Sequence, residues 1–105
     1  MKTILLVCSA GMSTSLLVTK METAAKDAGD EVKIFALPFS DANKVLEEVD
    51  CILLGPQVRF QKNAIEKMAQ GRNNGPIPVA VIDMKDYGTM NGKAVYQFAC
   101  KLLGE

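Results

Sequence analysis

The sequence predicts an α/β fold: a single domain, residues 1–105, with a four-stranded parallel sheet and helices on both faces. Three observations predict it. Four short apolar runs of strand length recur along the chain. Each is followed by a segment whose apolar residues recur at helical spacing. Gly and Pro punctuate the joins. The resulting order is β-α-β-α-β-α-β-α, and right-handed crossovers between parallel strands then place helices on both sides of the sheet.

Residues 2–7 form a continuous apolar run, as in a strand buried on both faces. A helix from about Ser13 to Ala28 follows, with Leu17, Met21, Ala24 and Ala28 along one face and Gly29 as its C-terminal cap. Val32 to Leu37 is a second strand, ended by Pro38. Ser40 or Asp41 caps a short helix that turns Ala42, Val45, Leu46 and Val49 inward. Cys51 to Leu54 is a third buried strand, stopped by Gly55-Pro56. A helix from about Val58 to Gln70 directs Ala64, Ile65, Met68 and Ala69 inward. A Gly-, Asn- and Pro-rich loop, Gly71 to Pro78, leads to a fourth strand, Val79 to Ile82. Asp83 to Asn91 is a long connection with room for a helical turn. The last helix, about Gly92 to Leu103, buries Val95, Phe98, Ala99, Leu102 and Leu103.

Composition narrows the function classes. Lys+Arg and Asp+Glu are both 12, so the net charge is zero, and nucleic acid is not the expected partner. No apolar run approaches the ~20 residues of a membrane span. The start resembles a lipoprotein signal only superficially. Its apolar stretch is too short, and the bulky Val7 precedes Cys8 where a small residue belongs. A cytosolic protein is expected. Cys8, Cys51 and Cys100 are odd in number and widely spaced, which fits neither a disulfide framework nor a zinc site. No metal and no organic cofactor are expected. The absence of histidine removes the commonest general base and any phosphohistidine of the chain's own.

Sheets of this class place their sites beyond the carboxyl ends of the strands. Three loops lie there: Cys8 to Ser15, Gly55 to Arg59, and Asp83 to Gly88. The first has the chemistry. A strand ends at Cys8, Gly11 frees the backbone to curl, and a helix starts near Ser13. Unpaired amides and the positive helix end then form a cradle for an anion. The hydroxyls of Ser9, Ser13, Thr14 and Ser15 add donors. A thiol facing that cradle is expected to ionise readily and attack phosphorus. The same segment also reads as a strand ending in a small hydrophobe, followed by ordinary helix capping. The residues alone leave both readings open. Cys51, opening a buried strand, and Cys100, on the last helix, read as structural.

The run Ile4-Leu5-Leu6-Val7-Cys8-Ser9-Ala10-Gly11-Met12-Ser13-Thr14-Ser15-Leu16-Leu17-Val18 resembles the start of enzyme IIB of the lactose/cellobiose type. That family belongs to the bacterial phosphoenolpyruvate-dependent sugar phosphotransferase system. Ile52-Leu53-Leu54-Gly55-Pro56-Gln57-Val58, and Val81-Ile82-Asp83 with Tyr87-Gly88, are similar to the same family. The resemblance implies sheet order 2-1-3-4, a fold like that of low-molecular-weight tyrosine phosphatases. It implies that Cys8 takes a phosphoryl group from a histidine of a IIA partner. Cys8 then passes the group to a sugar of the cellobiose, lactose or β-glucoside class carried by a membrane IIC component. The phosphate-binding residues would be Ser9, Ala10, Gly11, Met12, Ser13, Thr14 and Ser15. A monomer that docks transiently at the inner face of the membrane is expected.

Two rival readings remain: a small Cys-loop phosphatase, and a module that holds an anion without turnover. The phosphatases place an Arg six residues past the Cys; here that residue is Thr14. Without the Arg to clamp the transition state, transfer is favoured over hydrolysis. Asp83 and Asp86 are the candidates for a phosphatase's general acid. Arg59 meets a phosphate or sits on an exposed helix side. Tyr87 and Gly88 border the site or are packing residues. Met12, at the loop apex, suits docking with two partners in turn. Lys85, Asp86 and Lys93 read as solvated.

Overall fold

The computed structural model describes residues 2–8, 12–73 and 75–104, without the side chains of residues 12–14. The strands are β1 (Lys2–Cys8), β2 (Val32–Pro38), β3 (Cys51–Leu54) and β4 (Val79–Val81). All neighbours are parallel, in the order β2-β1-β3-β4. This is the expected 2-1-3-4 sheet. β1 pairs with β2 from Lys2 opposite Val32 to Cys8 opposite Pro38, and with β3 from Ile4 opposite Cys51 to Val7 opposite Leu54.

The two central strands are apolar without alternation because both their faces are covered. Ile4, Leu6, Cys51 and Leu53 face one core, and Leu5, Val7, Ile52 and Leu54 face the other. The first core is closed by α1 (Met12–Asp27) and α5 (Gly92–Leu102), through Leu17, Met21, Ala25, Val95, Tyr96 and Ala99. The second is closed by Ala42, Val49, Val58 and Ile65. Each fully buried Leu or Ile contributes roughly 1.5–3 kcal/mol of transfer free energy.

Several elements differ from expectation. The buried stripe of α1 runs Leu17, Met21, Ala25; Ala28 is exposed because the helix has already ended at Asp27. Gly29 does close it, at φ +78°, with the Asp30 amide donating to the Ala25 carbonyl at 2.9 Å. The second helix, α2, is only Phe39–Ala42. Its N-cap is Pro38 rather than Ser40 or Asp41, since the helix starts directly off the strand. Asp41 instead pairs with Lys44 at 3.1 Å. Val45, Leu46 and Val49 still reach the core, from turns rather than from a helix.

Pro56 starts a 3₁₀ segment, Pro56–Gln61, immediately after β3. Its backbone kinks at Val58, whose side chain is buried, and α3 (Lys62–Gln70) continues from there. The kink rotates the following face, so Ile65 and Ala69 are buried while Ala64 is exposed. The connection after β4 contains α4 (Met84–Gly88), capped by the Asp83 carboxylate, which accepts from the Lys85 amide at 2.8 Å. Asn91 caps α5 in the same way, accepting from the Ala94 amide at 3.1 Å.

Candidate functional site

The chain leaves β1 for β2 on one side and reaches β3 on the other. The crevice beyond the carboxyl ends of β1 and β3 is therefore the switch point of the sheet. Cys8 is the last residue of β1. Its partner on the β2 side, Pro38, has no amide to offer. On the β3 side the Gly55 amide donates to the Val7 carbonyl at 3.0 Å and holds the end of the strand. The Cys8 thiol lies 3.9 Å from the Leu37 carbonyl oxygen, and the residue is 5% exposed.

Cys8 sits in the wall of a cleft of about 360 Å³. One side is Pro38, Phe39 and Ser40, where β2 passes into α2; the other is Gln57, Val58, Phe60 and Gln61 of the 3₁₀ segment. Among the described residues no charged side chain lines it. Phe60 stands 76% exposed at its edge. Gln61 Oε1 is buried, and among the described residues it has no hydrogen-bond partner. A larger cavity of about 530 Å³ lies between α1 and α5, and its lining does not include Cys8.

Gly55 shows why the turn after β3 needs glycine. A Cβ there would stand 3.1 Å from Gln57 Oε1 and 3.3 Å from Cε2 of Tyr87. The Tyr87 ring is buried against the turn, and Gly88 is exposed.

Of the sequence-predicted phosphate ligands, Ser9, Ala10 and Gly11 lie outside the described residues, as do the side chains of Met12, Ser13 and Thr14. The backbone of Met12 begins α1, and Ser15 is exposed in its first turn. Arg59 is exposed and does not line the cleft. Asp83 is engaged as a helix cap, and neither it nor Asp86 lines the cleft. Asp86 is half-buried rather than fully solvated, whereas Lys85 and Lys93 are exposed. Cys51 is completely buried, as expected, and burial pushes its thiol up to about 12, with the charge of Asp50 adding to the effect. Cys100 is only half-buried, its Sγ 3.6 Å from Lys2 Nζ. Sequence reasoning did not single out Phe39, Phe60 or Gln61. The four-residue spacing of Gln57 and Gln61, directly after the strand-ending Gly55-Pro56, was the available signal.

A family model described as "PTS system, Lactose/Cellobiose specific IIB subunit" matches residues 3–98. The chain belongs to that family. It is a phosphotransferase component of the sugar phosphotransferase system. IIB subunits of this system work with IIA and IIC components.

Among similar IIB proteins, an oligo-beta-mannoside-specific EIIB component of Bacillus subtilis is 46% identical over 103 residues, covering 98% of this chain and 97% of the relative. A cellobiose-specific EIIB component of Lactococcus lactis subsp. lactis is 44% identical over 107 residues, covering 97% and 96%. The solution structure of a cellobiose-specific phosphotransferase IIB component from Borrelia burgdorferi superposes with a TM-score of 0.78 at 41% identity, covering 98% and 92%. A lactose-specific IIB structure from Streptococcus pneumoniae gives a TM-score of 0.82 at 17% identity, covering 95% of each chain, a likeness of fold. IIB domains share the low-molecular-weight tyrosine phosphatase-like fold. No helix among the described residues is long and apolar enough to cross a membrane.

Proposed function

We propose that Cys8 carries the phosphoryl group of this IIB subunit. The observation that carries the reading is the placement of its thiol: at the end of β1, in the cleft at the sheet's switch point, and just before a helix N-terminus. In the first half-reaction the sulfur attacks the phosphorus of a phosphohistidine on the IIA partner. The S–P bond forms, the P–N bond breaks, and the electron pair stays on the partner's imidazole. The chain contains no histidine, so the donor histidine belongs to the partner. In the second half-reaction a sugar hydroxyl oxygen attacks the phosphorus. The S–P bond breaks, the sulfur leaves as thiolate, and the hydroxyl proton passes to a base or to solvent.

The backbone and hydroxyls of Ser9, Ala10, Gly11, Met12, Ser13, Thr14 and Ser15 hold the phosphoryl oxygens, aided by the positive end of α1. Thr14, standing where related phosphatases have Arg, leaves water without an activated path to the phosphocysteine. The sugar is of the cellobiose, lactose or β-glucoside class and reaches the site through IIC, with the protein docking transiently at the inner face of the membrane. The cellobiose-specific relative supports that class, while the oligo-beta-mannoside- and galactose-specific relatives extend the range of sugars beyond it.

Incubation with phosphoenolpyruvate, the general phosphotransferase proteins and IIA tests the reading by intact mass. Wild-type protein should gain one phosphoryl group, and Cys8→Ser should gain none. Phosphate retained by Cys8→Ser, or lost in Cys100→Ser, would overturn the assignment.

A further inference from the structure

Lys2 reaches three side chains at the amino end of β1. Its Nζ donates to Sγ of Cys100 at 3.6 Å, to the Tyr96 hydroxyl at 3.1 Å and to Oδ2 of Asp30 at 3.4 Å. Phosphoryl transfer at Cys8 uses none of these groups. The Lys2 side chain is only 18% exposed, so its amine is held beside the sulfur. Cys100 is half-buried and lines two cavities. One, of about 530 Å³, lies between α1 and α5; the other, of about 490 Å³, runs along α5 beside Gln97 and Phe98. A small oxidant can therefore enter at Cys100, whereas Cys51, in the same core, is completely buried. An accessible thiol oxidises first to a sulfenic acid, whose electrophilic sulfur condenses with a neighbouring nucleophile, nitrogen included. At Cys100 a primary amine is that neighbour.

We infer that Lys2 and Cys100 form a reversible S–N bridge when the protein meets a hydroperoxide. In the first step the Cys100 sulfur attacks one peroxide oxygen. The S–O bond forms and the O–O bond breaks. The Lys2 ammonium protonates the departing hydroxide, which leaves as water, and the thiol proton passes to solvent. Cys100 is then a sulfenic acid and Lys2 a free amine. In the second step the Lys2 nitrogen attacks sulfur. The S–N bond forms, the S–O bond breaks, and the hydroxyl leaves as water with a proton from the amine. The sulfur has been oxidised, and the peroxide has been reduced to water. The same lysine serves first as acid and then as nucleophile.

The bridge stops Cys100 short of the irreversible sulfinic and sulfonic acids. It also joins residue 2 to residue 100 and so closes nearly the whole chain into one loop. An ion pair that acid dissolves is replaced by a covalent link between β1 and α5.

Intact mass of Cys8→Ser protein treated with hydrogen peroxide is the test; the substitution removes the sulfur of the proposed phosphoryl site. The product should be lighter by two hydrogen atoms and should regain its starting mass with dithiothreitol. Trypsin does not cut after a substituted lysine, so residues 1–20 should be recovered joined to Ala94–Lys101. The bridged form should unfold on the order of 10 °C above the reduced form. Adding Lys2→Arg keeps the cation and removes the primary amine, so oxygen adducts should build up on Cys100 instead. The same loss of hydrogen with Lys2→Arg, or its disappearance with Cys51→Val, would mean a disulfide between Cys51 and Cys100 and would overturn the inference. Oxygen adducts on Cys100 with Lys2 still open to trypsin would overturn it as well.

Discussion

The hydroxyl of Tyr96 donates to Oδ2 of Asp30 at 2.6 Å, which ties α5 to the turn that closes α1. Lys2 Nζ joins them, 3.1 Å from the Tyr96 hydroxyl and 3.4 Å from the same carboxylate oxygen. Segments from the beginning, the first third and the end of the chain thus meet at the amino end of β1. The Tyr96 hydrogen bond is the main reason the Asp30 carboxyl lies below its ordinary 3.8; partial burial opposes it, and the Lys2 charge adds to it. The contribution of this contact is fully present above the ordinary Asp range. It is lost as pH falls through the lowered Asp30 value.

Tyr96→Phe keeps the ring and removes the donor. At neutral pH it should lower the midpoint of thermal unfolding by a few degrees. The deficit should shrink as pH falls through the lowered Asp30 value, where protonation weakens the contact in wild type too. Unfolding curves at pH 7 and at pH well below 3.8 check this. An equal deficit at both would mean that the hydroxyl acts through packing alone.

Cys51 should behave as a hydrocarbon. Its folded-state pKa of about 12 exceeds the ordinary 9.0, chiefly through burial. The resulting stability is intact below pH 9 and is lost as pH rises toward 12. Native protein at pH 8 should leave Cys51 unmodified by iodoacetamide while Cys100 reacts. Cys51→Val should flatten the alkaline fall in unfolding temperature. Alkylation of Cys51 without unfolding would contradict its placement.

Gly92 sets the distance between α1 and α5. A Cβ at this position would lie 2.5 Å from the Lys20 carbonyl carbon and 2.7 Å from the Met21 nitrogen, both backbone atoms that cannot turn aside. Gly92→Ala should therefore destabilise the protein by about 2 kcal/mol or more, a fall in unfolding temperature on the order of 10 °C. Differential scanning calorimetry measures it directly. A change of a degree or less would show that the helices separate freely.

Gly55→Ala crowds Gln57 and the buried Tyr87 ring at once. The exposed Gln57 gives way more easily, so the stability loss should stay within about 1–2 kcal/mol. Moving Gln57 changes the wall of the Cys8 cleft, so sugar phosphorylation should fall several-fold. Chemical denaturation and a coupled transport assay separate the two effects. Full activity in a variant with reduced stability would detach Gln57 from the site.

The sheet could be read from the chain because Ile4 to Val7 and Cys51 to Leu54 are apolar without a break, a pattern that central parallel strands require. Gly29 likewise marked its helix end through its left-handed backbone. The short elements were harder. α2 stops at Ala42 although apolar spacing continues to Val49, because turns bury Val45 and Val49 as well as a helix would. Ala25 in place of Ala28, and Ile65 without Ala64, depend on where each helix ends or kinks, which periodicity does not register. Cys8 and its loop stood out by residue type. The Gln61 carbonyl did not, because an unpaired acceptor is a property of what surrounds it in space.

Lys2 and Cys8 are the two ends of one strand, about 20 Å apart at ~3.3 Å per residue. The ion pair that guards the fold against acid and the thiol proposed to handle phosphate therefore lie too far apart to share a contact. Substitutions among Lys2, Asp30 and Tyr96 can retune the acid tolerance of the molecule without retuning its chemistry.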